Sequence, residues 1–263
     1  MKLPPLRAAV CLFGLLALHA VPALAQALPP GGPPEPASAV TLMALDHPGG
    51  HSNPRPQGLL TWLFETRRRT SIAMALAPQR FDLSHPDTLF TGDFPPSPLY
   101  VWQGEGAFEP LPKGAIDALG AALRAGGSLF VDVSEGIADG PFERSVTREL
   151  SRILPGVPLV PISPEHVLYK SFYLVDRHSG RTGARANLLG MTFEGRLAVV
   201  LSANDLLGAM AKDPLGGWAY AVADGDRARE MATRLTINWI MYALCLDYKA
   251  DQVHLPFILK RRR

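Results

Sequence analysis

Apolar residues fall along this chain in two patterns. Short runs that are apolar almost throughout occupy 40–45, 99–102, 128–133 and 197–201. Between them, apolar residues recur every three or four positions, the spacing of one helix face. The first such stretch predicts a helix over 58–68, with Leu59, Leu60, Leu63 and Phe64 on one side. A second runs over 113–125, with Ile116, Leu119 and Leu123 in register and Gly126-Gly127 as its stop. A third starts at Pro141 and buries Phe142, Val146, Leu150 and Ile153. A long fourth spans 227–246, with Met231, Leu235, Trp239 and Tyr242 inward.

Strands that do not alternate are buried on both faces, and the helices between them supply the cover. The pattern therefore predicts an α/β fold: a mostly parallel open sheet with helices on both faces. Ligands of such sheets sit beyond the carboxyl ends of the strands, so the residues just after each strand hold the candidate chemistry.

Both ends of the chain change the picture. Lys2 and Arg7 precede an apolar run over 8–20, and Ala23-Leu24-Ala25 is a small-x-small cleavage site. Residues 1–25 are expected to be a signal peptide that leaves with Cys11, and 26–38 a Pro/Gly-rich linker. One domain follows over 39–263. The protein is expected to be exported, periplasmic in a Gram-negative bacterium. Lys plus Arg number 26 and Asp plus Glu 24, and the signal takes two basic residues and no acidic one. A chain left formally neutral lacks the positive field that phosphate contacts need, so nucleic acid is excluded as a partner. Cys245 then stands alone in a helical stretch and reads as a small core residue. Membrane contact is expected only through an uncleaved signal or the basic tail, Lys260 to Arg263.

Polar residues follow four of the strands. Asp46-His47 follows the first and Gln103-Gly104-Glu105 the second. The third ends in Asp132 and Ser134-Glu135-Gly136, the fourth in Ser202 and Asn204-Asp205. Neighbouring carboxylates split their pKa values and serve as acid and base. Asp132 and Asp205, with His166, are thus the catalytic candidates. Asp46, His47, Asn204 and Trp218 are the ligand-binding candidates. The same residue types also make turns and helix caps. Ser134 and Ser202 are nucleophiles by position only, since no G-x-S-x-G elbow occurs. There is no phosphate loop, and the histidines lack metal-ligand spacing, so no cofactor and no metal are expected.

Four blocks carry a family resemblance over almost all of the chain after residue 40. They are Leu119 to Asp132 around Gly126-Gly127; Phe142-Glu143-Arg144-Ser145 through Leu154-Pro155 to Pro164-Glu165-His166; Gly195-Arg196-Leu197 through Asn204-Asp205 to Gly217-Trp218; and Asn238 through Tyr248-Lys249-Ala250-Asp251 to His254. In these the chain resembles the bacterial family known as domain of unknown function 4159. The resemblance implies a flavodoxin-like sheet related to class I glutamine amidotransferases. Those enzymes use a cysteine at a strand-to-helix turn, and here no strand end carries one. The family's recurring polar residues fall here on His166, Asn204, Asp205, Trp218, Asp251 and His254, without assigned roles. The expected function is a non-catalytic exported domain that binds a protein partner or small polar ligand of the cell envelope at the carboxyl edge of its sheet. The alternatives are an envelope hydrolase using Asp132, Asp205 and His166, and a structural subunit of an envelope complex.

Overall fold

A computed structural model describes residues 39–84 and 97–245. The signal, the linker, the basic tail, Asp251 and His254 lie outside the described residues. Among the described residues, thirteen elements follow one another. In the first half, β1 (Leu42–Asp46), α1 (Pro56–Arg69) and β2 (Gln79–Asp82) precede β3 (Leu99–Gly104), α2 (Lys113–Arg124), β4 (Ser128–Val133) and α3 (Pro141–Ile153). In the second, β5 (Val160–Pro161) and a 3-10 turn (Val167–Lys170) lead to β6 (Leu189–Phe193), β7 (Arg196–Ser202), α4 (Leu206–Met210) and α5 (Gly225–Leu244).

The strands form one sheet in the order β2-β1-β3-β4-β7-β6-β5. β2, β1, β3, β4 and β7 are parallel, while β6 and β5 add an antiparallel edge. The fold is therefore the expected α/β architecture with a mixed edge. Successive residues of a strand point to opposite faces, and this divides the core in two. Leu42, Val101, Phe130 and Val200 meet α1, α4 and α5 on one face. Trp62, Phe130 and Trp239 pack there with ring centroids 5.4–5.6 Å apart. Met43, Tyr100, Trp102 and Val131 meet α2 and α3 on the other.

The buried stripe of α1 keeps Leu59 and Leu63 of the row expected from sequence, but adds Trp62 and Thr66 in place of Leu60 and Phe64. Leu60 and Phe64 face outward, 37% and 53% exposed. A row at i, i+3, i+4 and i+7 fits the curved sheet, and Trp62 supplies the larger buried surface. At Gly58 a β-carbon would run into the Leu207 carbonyl, so the first turn of α1 lies directly on α4. That contact brings together the loop after β1 and the segment after α4, which wall the site. Met231 is half-buried rather than inward.

Candidate functional site

The carboxyl ends of β1, β3, β4 and β7 meet around one guanidinium. The chain leaves β1, turns through Asn53-Pro54-Arg55-Pro56 and enters α1 with Pro56 at a first-turn position, where its missing N–H costs nothing. Arg55 is thereby held over the sheet edge, 8% exposed. Its Nε donates to both carboxylate oxygens of Asp205 at 3.1 and 3.2 Å. Nη1 donates to the Pro54 carbonyl at 3.2 Å and Tyr220 Oη at 3.3 Å. Nη2 reaches the Ser134 carbonyl and Glu105 Oε1, both at 2.7 Å. Gln103 Oε1 accepts from its backbone N–H at 3.0 Å. Arg181 approaches Asp205 from the other side and also donates to the Ser134 and Glu135 carbonyls.

Asp205 itself sits in the left-handed region, at φ +51°. Its Oδ1 accepts from Gly208 N at 2.8 Å, capping α4. Asp132 caps the same helix from below, with Oδ1 and Oδ2 each accepting at 2.9 Å from Leu206 N and Leu207 N. Burial, then the neighbouring Asp205, raises the Asp132 carboxyl to about 7. Burial also raises Asp205, against the pull of Arg55 and Arg181. These two carboxylates thus meet as the strand order requires, but their oxygens are committed to the N-terminus of α4. Asp132→Leu is expected to orphan two buried N–H groups and destabilise by about 2–5 kcal/mol. Asp132→Asn keeps one acceptor and sheds the buried charge, so urea denaturation should place it within about 1.5 kcal/mol of the parent.

His166 does not join them. It starts the 3-10 turn, where its Nδ1 accepts from Leu168 N at 3.1 Å. Its ring lies 5.5 Å from Tyr242, whose hydroxyl accepts from Leu197 N at the amino end of β7. It is therefore at the opposite edge of the sheet, because the segment after α3 runs back to build the antiparallel side. The three catalytic candidates do not form one site.

The ligand-binding candidates also separate. Asp46 pairs with Arg80 at the β1–β2 side. His47 is buried among Trp102, Phe108 and Phe142, and its Nδ1 accepts from Trp102 Nε1 at 3.0 Å. Asn204 is fully buried and pins residues 178–185, accepting from Arg185 N and donating to the His178 and Arg185 carbonyls. Ser202 Oγ lies 2.9 Å from His178 Nε2, with both residues buried, Ser202 completely. Ser134 is buried too.

Of the candidates, Trp218 alone lines the open cleft at this edge. The cleft holds about 510 Å³ between residues 51–57 and 211–220. Arg55 and Tyr220 join its walls, with the guanidinium carbon 4.5 Å from the ring centroid. Lys212 and Trp218 pair across the second wall as an antiparallel bridge, and Lys212 Nζ stands 3.8 Å from the Trp218 ring centroid. Arg229 stacks on the same ring at 4.3 Å. His51 and Glu105 exchange two backbone hydrogen bonds, which tie the loops after β1 and β3 together. Among the described residues, no three His, Cys, Asp or Glu side chains are grouped to hold a metal ion.

Arg55, Arg181, Lys212 and Tyr220 escaped the reading of strand ends. Pro54-Arg55-Pro56 was a visible signal, since a charge between two prolines at a helix start has a fixed direction. Nothing local marked Arg181.

The architecture is that of an α/β domain with its open cleft at the carboxyl edge of a mostly parallel sheet. The model of the family known as domain of unknown function (DUF4159) matches residues 41–244, and the chain belongs to that family. No curated protein matches the chain.

Proposed function

We propose that this chain is an exported, non-catalytic domain that binds a small polar ligand in the cleft at the carboxyl edge of its sheet. The cleft carries the reading. It presents His51, Gln57, Lys212 and Trp218 to solvent-accessible space, whereas Asp132 and Asp205 are spent on capping α4. The cleft lies where the strand order favours ligands, since β1 is followed by β2 on one side and by β3 on the other. The parallel order β2-β1-β3-β4-β7 also supports a flavodoxin-like relationship. The n-region, apolar run and cleavage site of residues 1–25 support export. Among the described residues, no helix is long and apolar enough to cross a membrane.

Ala219 is an exposed residue of the cleft wall, so Ala219→Trp should plug the cleft at little cost to stability. A thermal-shift screen of monosaccharides, amino acids and small organic acids tests the reading. A compound at 100 times its Kd stabilises a binding-competent fold by about 2.7 kcal/mol. Stabilisation that vanishes in Ala219→Trp is the expected result. A screen without hits, or hits that survive the plug, would count against the cleft.

A further inference from the structure

The negative groups around the cleft are committed to partners. Arg55 neutralises Asp205 and Glu105 at 2.7–3.2 Å. Glu105 also stands 3.7 Å from His51 Nδ1. Asp213 Oδ1 accepts from Leu215 N and Gly217 N at 2.9 and 2.8 Å, which staples the loop that carries the second wall. Arg55, in turn, has its N–H groups taken by Asp205, Glu105, Tyr220 and two carbonyls. It is a strut between the loops and has nothing left for a ligand.

Lys212 differs. It is half-buried, and no carboxylate lies within ion-pair distance of it among the described residues. Its one hydrogen bond is a long one, 3.4 Å to the Gly216 carbonyl. Its ammonium is nonetheless fixed in place, because the backbone bridge to Trp218 sets the stem and the indole ring attracts the cation. A cation that is held but not neutralised, on the wall of a cleft, is an anchor for a negative group. The walls around it are mixed: Pro54, Pro56, Pro214 and the rings of Trp218 and Tyr220 give apolar surface, beside the polar Asn53 and Gln57.

We infer that the cleft takes a small organic anion, a carboxylate or phosphate ester on a compact apolar body, and that Lys212 holds the anionic group. This inference rests on the cleft being the binding site. It goes beyond that reading by fixing the sign of the ligand's charge and the residue that reads it.

Trp218 provides the readout. It is 43% exposed, whereas Trp62, Trp102 and Trp239 are at most 1% exposed, so acrylamide quenching of fluorescence reports on Trp218. The probes are benzoate, phenyl phosphate and neutral benzyl alcohol, titrated into the chain, with Trp218→Phe as the signal control. The anions should protect Trp218 from quenching at concentrations where benzyl alcohol does not. Lys212→Gln should weaken that protection about tenfold, Lys212→Arg should restore most of it, and added salt should weaken it in the parent. The relative strength of benzoate and phenyl phosphate separates a carboxylate from a phosphate ligand. If benzyl alcohol binds as well as the anions, or Lys212→Gln binds them unchanged, the charge assignment is wrong while the cleft reading stands. If no probe protects Trp218, the anion inference falls, and the Ala219→Trp screen decides separately whether the cleft binds anything else.

Discussion

Asp205→Ala is expected to destabilise this fold by about 3–5 kcal/mol, the cost of stranding a buried charge whose partner has been removed. Arg55 is 8% exposed and Asp205 fully buried, so the pair sits where an unpaired charge is costly. The same change uncaps α4, because Gly208 N loses its acceptor. For a domain of this size, each kcal/mol moves Tm by roughly 2–4 °C, so a fall of about 10 °C should be seen by calorimetry. Two companions divide the effect. Asp205→Gly relieves the left-handed backbone at φ +51° but loses the same carboxylate, and should be slightly milder than Ala. Pairing Asp205→Asn with Arg55→Met removes both charges, keeps an amide oxygen for Gly208 N and Arg181, and should recover much of the loss. An Asp205→Ala protein as stable as the parent would show that the guanidinium pair does not hold these loops.

Acid should destabilise the fold through two histidines, in a window set by their burial. Burial, above all, pushes His47 down to about 4 from the usual 6.5, and does the same to His178. The unfolded chain therefore takes up these protons near pH 6.5, and the folded chain only near pH 4. Their contribution is fully present above about pH 6.5 and is lost as pH falls towards 4. At 1.36 kcal/mol per pKa unit, each histidine accounts for on the order of 3 kcal/mol.

Asp132 has the opposite sign. Its carboxyl is raised to about 7 from 3.8, so its ionisation weakens the fold above pH 7. Stability is regained through Asp132 as pH falls from 7 towards 4. The two histidines lose stability over this range while the Asp132–Asp205 pair regains some, so the loss between pH 7 and pH 4 is expected to be smaller than the histidines alone would give. Urea denaturation across that range measures it. Asp132→Asn removes the opposing carboxylate and should steepen the acid loss. A stability that is flat from pH 7 to 4 in both proteins would overturn the assignment of His47 and His178 as buried neutral groups.

The local pattern carried a large part of this architecture. Ser128 to Val133 reads as a fully buried strand, and it is one, with helices on both sides. The start of α3 at Pro141 and the break at Gly126 follow from a missing N–H and a left-handed φ of +113°. Asp132 and Asp205 were legible as polar strand ends because that needs only the point where each apolar run stops. Each of these is a property of a few consecutive residues.

The rest depended on distant pairs. The outward turn of Leu60 and Phe64 was decided by which face of α1 met the sheet. The short strands β2, β5 and β6 form only because longer neighbours offer them hydrogen bonds. Asp205 was visible as a polar strand end, but its role as the counter-charge of Arg55 links residues 150 positions apart. His166 was sent to the far edge by the antiparallel return after α3. Periodicity and punctuation report on the chain over one or two turns, so the sequence by itself determined the α/β class and its polar strand ends. The site's contents were decided by strand order and loop docking, where burial makes an unpaired charge too costly to leave alone.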